Sequence, residues 1–80
     1  MANYQDVLQQ VITKVSELAG HAVSEETDLV DELDLDSMKA MRLIQEIEDQ
    51  FDISIPINLL PEIRTVADLA RKVTELLDGE

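Results

Sequence analysis

Asp36-Ser37-Met38-Lys39-Ala40-Met41-Arg42-Leu43-Ile44-Gln45-Glu46-Ile47-Glu48-Asp49-Gln50-Phe51 is the stretch whose reading decides the fold. Ala40, Leu43, Ile44, Ile47 and Phe51 recur at spacings of three and four, the signature of one buried stripe on an amphipathic helix. Asp36 has the side chain of a good N-cap, which makes Ser37 the first helical residue. Met38 and Met41 fall off the apolar stripe; a methionine on a helix is ordinarily a core residue, so core packing and contact with a partner both stay open for them. Asp52 ends it, and Ile53-Ser54-Ile55-Pro56 reads as extended, because a residue before proline avoids the α region.

Upstream, Val7, Leu8, Val11, Ile12, Val15 and Leu18 mark a first helix from Asn3 to about Ala19, with Asn3 as a cap, Asp6 in the first turn and Gly20 as the stop. Ala22 to Asp36 then forms a long, mostly irregular loop. A loop of that length needs pinning in a compact fold. Leu29 and Leu33 are the residues placed to tuck into the core, and Thr27-Asp28-Leu29 suits a short helical turn. Downstream, Asn58-Leu59-Leu60-Pro61 allows only a brief helical turn. Thr65 opens the last helix with Asp68 three residues on, as in a capping box, followed by a stripe of Val66, Leu69, Ala70, Val73, Leu76 and Leu77. The expectation is an all-α four-helix bundle, three longer helices and one short, with a long loop between helices one and two, forming a single domain over residues 1–80.

Composition narrows the function. Eighteen acidic residues against six basic give a net charge of -12. That excludes the basic footprint a nucleic acid requires and disfavours an anionic membrane surface. No apolar run approaches the roughly 18 residues of a membrane span, and no charged segment followed by an apolar one opens the chain, so the expectation is a cytoplasmic protein. There is no cysteine, hence no disulfide, no thiolate nucleophile and no cysteine-bound metal. Only Tyr4 and Phe51 are aromatic, so aliphatic side chains must build the core.

Catalytic chemistry fits poorly. A serine nucleophile needs a base, and the single histidine, His21, lies far from Ser37 in sequence with no third member in view. Acid pairs such as Asp34 and Asp36 sit in a solvated acidic run. A calcium loop of the EF-hand type needs glycine at its sixth position, where counting from Asp34 finds Lys39. Ser37 itself reads in two ways. Serine is ordinary in the first turn of a helix. An exposed hydroxyl there is also a good place to hang a phosphate ester, which would meet the positive end of the helix.

Asp36-Ser37-Met38 at the start of the second long helix resembles the Asp-Ser-Leu attachment motif of acyl and peptidyl carrier proteins. The likeness extends over the long first loop, the helix from Ser37 to Phe51, the Ile53-Pro56 extension, and Thr65-Val66-Ala67-Asp68-Leu69-Ala70. The resemblance implies that a phosphopantetheinyl transferase moves 4'-phosphopantetheine from coenzyme A onto the Ser37 hydroxyl, with Asp36 beside it. The terminal thiol of that arm then carries acyl or aminoacyl groups as thioesters, and the chain catalyses nothing itself. A chain without cysteine suits this, because the sulfur comes with the arm.

Departures from the family pattern bear on docking. Met38 stands for the usual leucine, and Lys39 and Arg42 stand where fatty-acid carriers place acids; Glu48 and Asp49 restore acidic character further along. The short third helix is apolar at Ile57, Leu59 and Leu60. Met38, Lys39, Met41, Arg42, Glu48, Asp49 and Ile63 are therefore the expected docking residues, and no residue is assigned to a metal. The resemblance favours a free-standing, monomeric carrier of a polyketide, nonribosomal peptide or other specialised acyl pathway. Its partners would be a loading ligase and pathway synthases or transferases. Housekeeping fatty-acid synthesis stays open, as do an acidic helical interaction module without a prosthetic group and a weakly calcium-responsive helical protein.

Overall fold

Helix α1 (Tyr4–Ala19) begins where Asn3 predicts it. The N–H groups of Gln5 and Asp6 donate to Asn3 Oδ1 at 2.8 and 3.3 Å, satisfying donors that the first turn leaves open. The chain leaves it through Gly20 in the left-handed region, whose N–H closes on Ser16 O at 2.9 Å. The structure is a computed structural model that describes residues 2–32 and 37–79, with the backbone alone at Ser37 and Ile57. Within them follow α2 (Leu29–Glu32), α3 (Ser37–Phe51), a 3-10 helix (Ile57–Glu62) and α3's successor α4 (Val66–Leu77). Three long helices and short helical pieces, with no named strand among the described residues, make the all-α bundle.

The core lies where α1 meets α4 and α3. Val7, Leu8, Val11 and Val15 of α1 pack with Leu43 and Ile47 of α3, Val66, Leu69, Ala70 and Val73 of α4, and Leu29 and Ile55 from between the helices. The predicted stripes are right in their centres and drier in the middle than at their ends. Ala40, Ile44, Phe51 and Leu76 are half-buried, and Leu77 is exposed. Phe51, on the last turn of α3, packs against the core without being sealed in it.

The loop from His21 to Glu32 is pinned, but largely by backbone. Asp28 and Thr65 form an isolated antiparallel bridge. Leu29 N–H donates to Arg64 O at 2.8 Å, Val66 N–H to Thr27 O at 3.1 Å, and Ala67 N–H to Glu25 O at 2.9 Å. Two open donors of α4's first turn are thus spent on loop carbonyls. The helical turn starts at Leu29, two residues later than the sequence suggests, because Asp28 acts as its cap: Asp28 Oδ1 accepts from Val30 and Asp31 N–H at 2.9 and 3.2 Å. Leu29 is buried as expected, and Val30 is exposed. The expectations for Leu33 in the core and for Asp36 as cap and neighbour of the site lie outside the described residues, as does the run Asp34-Leu35 between them.

The far end of α3 turns through Asp52, a non-glycine residue at φ 55°. Ile53 N–H returns to Glu48 O at 3.1 Å, closing the turn in the manner of a Schellman cap. Glu48 then reaches past it: its Oε2 accepts from Ile55 N–H at 2.6 Å, holding the extended segment while the Ile55 side chain enters the core.

Candidate functional site

Helix α3 has two sides of opposite character, and its start is where the attachment reading places function. Inward lie Leu43 and Ile47, with Ala40 and Ile44 at the margin. Outward, one turn apart, lie Met38 and Met41, 80% and 44% exposed, far above what a methionine in a core would show. Lys39 and Arg42 are exposed beside them. Met38, Lys39, Met41, Arg42 and Gln45 together line one open concavity on this face. The first turn of α3 contains no acidic side chain.

The guanidinium of Arg42 is tethered, not loose. Its Nε donates to Glu46 Oε2 at 3.2 Å while the side chain stays 73% exposed. Glu46 also receives Lys14 of α1 at 3.4 Å. The Arg42 hydrogen bond, with Lys14 adding, holds the Glu46 carboxyl below the ordinary carboxylate range. Sequence reasoning missed both Gln45 and Glu46. Gln45 was findable, since it follows Met41 by four residues on the same face. The approach of Lys14 was not, since it comes from another helix.

The remaining expected docking residues fall elsewhere. Asp49 is exposed further along α3. Glu48 is half-buried and engaged with Ile55 N–H, so its carboxylate serves the fold. Ile63 is half-buried at the end of the 3-10 helix. It lines a small apolar cavity with Leu29, Ala40, Leu43, Ile44, Leu60 and Leu69. That cavity holds about 90 Å³. An apolar cavity of roughly 150 Å³ accepts a benzene molecule, so a long acyl chain does not fit this one as it stands. The concavity is lined by Met38, Met41 and the cationic Lys39 and Arg42 of α3, whereas the cavity at Ile63 is lined by the apolar Ala40, Leu43 and Ile44 of the same helix.

His21 is exposed and pairs through Nε2 with the Glu32 carboxylate, while its Nδ1 faces Ala22 O at 3.1 Å. Both contacts belong to the loop and neither reaches α3. Among the described residues no group of histidine, cysteine and carboxylate side chains is placed to hold a metal ion, and no helix is long and apolar enough to cross a membrane.

Comparison with known proteins supplies the next finding. A family model described as the phosphopantetheine attachment site matches residues 6–73. The chain is 34% identical over 71 residues to a probable acyl carrier protein of Caulobacter vibrioides, covering 86% of this chain and 83% of that protein. It is 30% identical over 73 residues to an acyl carrier protein of Wolinella succinogenes, covering 91% and 95%. It is also 30% identical over 69 residues to a meromycolate extension acyl carrier protein of Mycolicibacterium aurum, covering 86% and 71%.

Proposed function

Because the chain belongs to the phosphopantetheine-attachment family of acyl carrier proteins, we propose that Ser37 is its point of attachment. Covalent 4'-phosphopantetheine is the cofactor of this family and of this chain. When bound, the group supplies a terminal thiol for thioester chemistry, which the cysteine-free chain lacks.

One observation carries the assignment to Ser37. It opens a helix of 15 residues whose first turn contributes no carboxylate, and the next side chain, Met38, is almost wholly in solvent. A phosphodiester at that point meets the positive end of the helix dipole with no acid in the first turn to repel it. Met38 and Lys39 then flank the root of the arm. A phosphopantetheinyl transferase is the expected donor enzyme, with the nucleotide half of coenzyme A leaving as the Ser37 hydroxyl takes the phosphate.

In this reading the chain is a handle and not a catalyst: a single-domain, cytoplasmic monomer that presents acyl or aminoacyl units to a loading ligase and to pathway synthases or transferases. The pathway we favour is a specialised one. The support is the cationic pair Lys39 and Arg42 beside the attachment point and the apolar residues of the 3-10 helix, Leu59 and Leu60, in a chain otherwise rich in acid. Met38, Lys39, Met41 and Arg42 are the docking residues, with Asp49 toward the far end of the helix and Ile63 at its inner edge.

The test is incubation of the chain with coenzyme A, magnesium and a broad-specificity phosphopantetheinyl transferase, followed by intact mass. A gain of one phosphopantetheine is expected in the wild type and none in Ser37→Ala. No gain in the wild type, or an unchanged gain in the variant, refutes the assignment.

A further inference from the structure

The short helix α2 is held at both ends by side chains from distant parts of the chain. At its start one carboxylate has two tasks. Asp28 Oδ1 accepts from the N–H groups of Val30 and Asp31 at 2.9 and 3.2 Å, while Asp28 Oδ2 accepts from Arg64 Nε at 2.8 Å. Arg64 is in turn tied to α4, since its N–H donates to Asp68 Oδ2 at 3.1 Å. At the other end of α2, Glu32 pairs with Nε2 of His21, just past α1. The apolar side of α2 bears on α3. Leu29, buried, closes one wall of the small cavity whose other walls include Ala40, Leu43 and Ile44. Those three lie in the first half of α3, within seven residues of Ser37.

We infer that Asp28 is a positioning residue for the attachment reaction at Ser37: it fixes α2 to the root of α4, and through Leu29 it sets where the start of α3 is held. The inference rests on the attachment reading. In that reaction the bond from Ser37 Oγ to phosphorus forms as the phosphorus–oxygen bond to the nucleotide half of coenzyme A breaks. The nucleotide leaves with that bond's electron pair, and the hydroxyl proton is released to solvent. Attack of this kind depends on alignment, and misplacing a reacting group by about 1 Å can cost ~10²-fold in rate. A hydroxyl at the start of a helix takes its position from the backbone of that turn. Met38 and Lys39 are exposed, so this end of α3 is steadied from its inner side, where Ala40 and Leu43 meet the cavity that Leu29 closes. The two oxygens of Asp28 make that support stiff. The start of α2 and Arg64 cannot part without breaking one of the contacts. Removing the carboxylate frees α2 at its start and leaves the packing of Val11 and Val15 with Leu69 and Val73 intact.

The test compares the wild type with Asp28→Ala, Asp28→Asn, Arg64→Gln and Val73→Ala. Initial rates of modification are measured by intact mass with a broad-specificity transferase, saturating coenzyme A and varied concentrations of the full chain. A variant that is merely less folded offers less competent substrate, which raises the apparent KM and leaves kcat unchanged. A positioning role lowers kcat itself. Asp28→Ala should lower kcat by about tenfold, inside the range that misalignment of a reacting group commands. Asp28→Asn, the conservative variant, keeps a capping oxygen for α2 and loses only the contact with Arg64, so it should fall between Asp28→Ala and the wild type. Arg64→Gln should match it. Val73→Ala, which loosens the core of α4 without touching α2, should keep the wild-type kcat. Without coenzyme A, amide exchange in Asp28→Ala should quicken over residues 29–32 and 41–44 and stay unchanged in the middle of α1. The proposal is overturned if Asp28→Ala changes KM alone, or if Val73→Ala lowers kcat as far. Unchanged exchange over 41–44 would equally overturn it. Should Asp28→Ala fail to fold, a wild-type kcat in both Asp28→Asn and Arg64→Gln overturns it. No mass gain on the wild type removes the attachment reading and the proposal together, whereas a normal gain with kcat unmoved in the variants removes the proposal alone.

Discussion

Two helix starts in this molecule face opposite tasks. At the start of α4 every feature closes inward. Thr65 Oγ1 accepts from Asp68 N–H at 3.1 Å, and Asp68 Oδ2 accepts from both Arg64 and Thr65 N–H at 3.1 Å. The N–H groups of Val66 and Ala67 go to the loop, and Arg64 Nε donates to Asp28 Oδ2 at 2.8 Å. At the start of α3 the first turn has no acid of its own, and its first described side chains, Met38 and Lys39, are exposed. The difference teaches how to tell a joint from a contact surface. The start of α4 spends its donors on its own chain and holds the fold, whereas the start of α3 leaves Met38 and Lys39 at the surface, the place where the proposed carrier role puts its contacts.

Substitutions can break that contrast, and the largest effect is expected where the loop meets the core. Leu29→Ala should cost roughly 2–5 kcal/mol, since it empties a buried site that also lines an existing cavity. Chemical denaturation reads it, and a cost under ~1 kcal/mol would show that the backbone bridge pins the loop without the side chain. Thr65→Ala should cost about 1–2 kcal/mol through loss of the capping box. In that variant, amide exchange should quicken in both the 25–32 segment and the first turn of α4.

Acid should attack the α4 joint selectively. Arg64 holds the Asp28 carboxyl below the ordinary range, and the Thr65 N–H does the same first of all for Asp68. A carboxyl with a depressed folded pKa contributes stability above its unfolded value and loses it as pH falls through the folded one. Stability should therefore hold from neutrality down to about pH 4, the unfolded carboxylate value, and decline below it. Amide exchange should rise around Asp28 and Asp68 before it does in the middle of α1, and Asp68→Asn should flatten this dependence. Smallest is Met38→Ala, expected within ~0.5 kcal/mol of wild type in denaturation, because an exposed side chain carries little of the fold. A cost near that of Leu29→Ala would erase the distinction between the two helix starts.

What could be read from the residues alone was whatever depends on near neighbours. Asn3 over α1, Gly20 after it, and Thr65 with Asp68 are rules of three or four residues, and each element begins or ends where they place it. The offset of Met38 and Met41 from the Leu43 and Ile47 stripe left core and contact both open, and the structure exposes both. Contacts across the fold left no such trace. Lys14 on Glu46, Gln10 on Gln50 at 2.7 Å and Arg64 on Asp28 each join residues more than thirty apart. Glu48 shows the limit most clearly: its position on α3 suggests an outward acid, yet the N–H of Ile55, delivered by the turn at Asp52, draws its carboxylate back to the protein.

The bridge between Asp28 and Thr65 has a topological consequence. It closes the intervening chain into a ring, and the whole of α3 is threaded on that ring, along with the 3-10 helix. Closing a ring of that length carries an entropic cost that grows only with the logarithm of its contour. Once closed, both ends of the segment bearing Ser37 are anchored at one place, the root of α4. Parting the bridge would free the loop from the root of α4, while Leu43 and Ile47 would still hold α3 in the core. The segment that carries α3 is thereby tied at the root of α4 in addition to its own packing in the core.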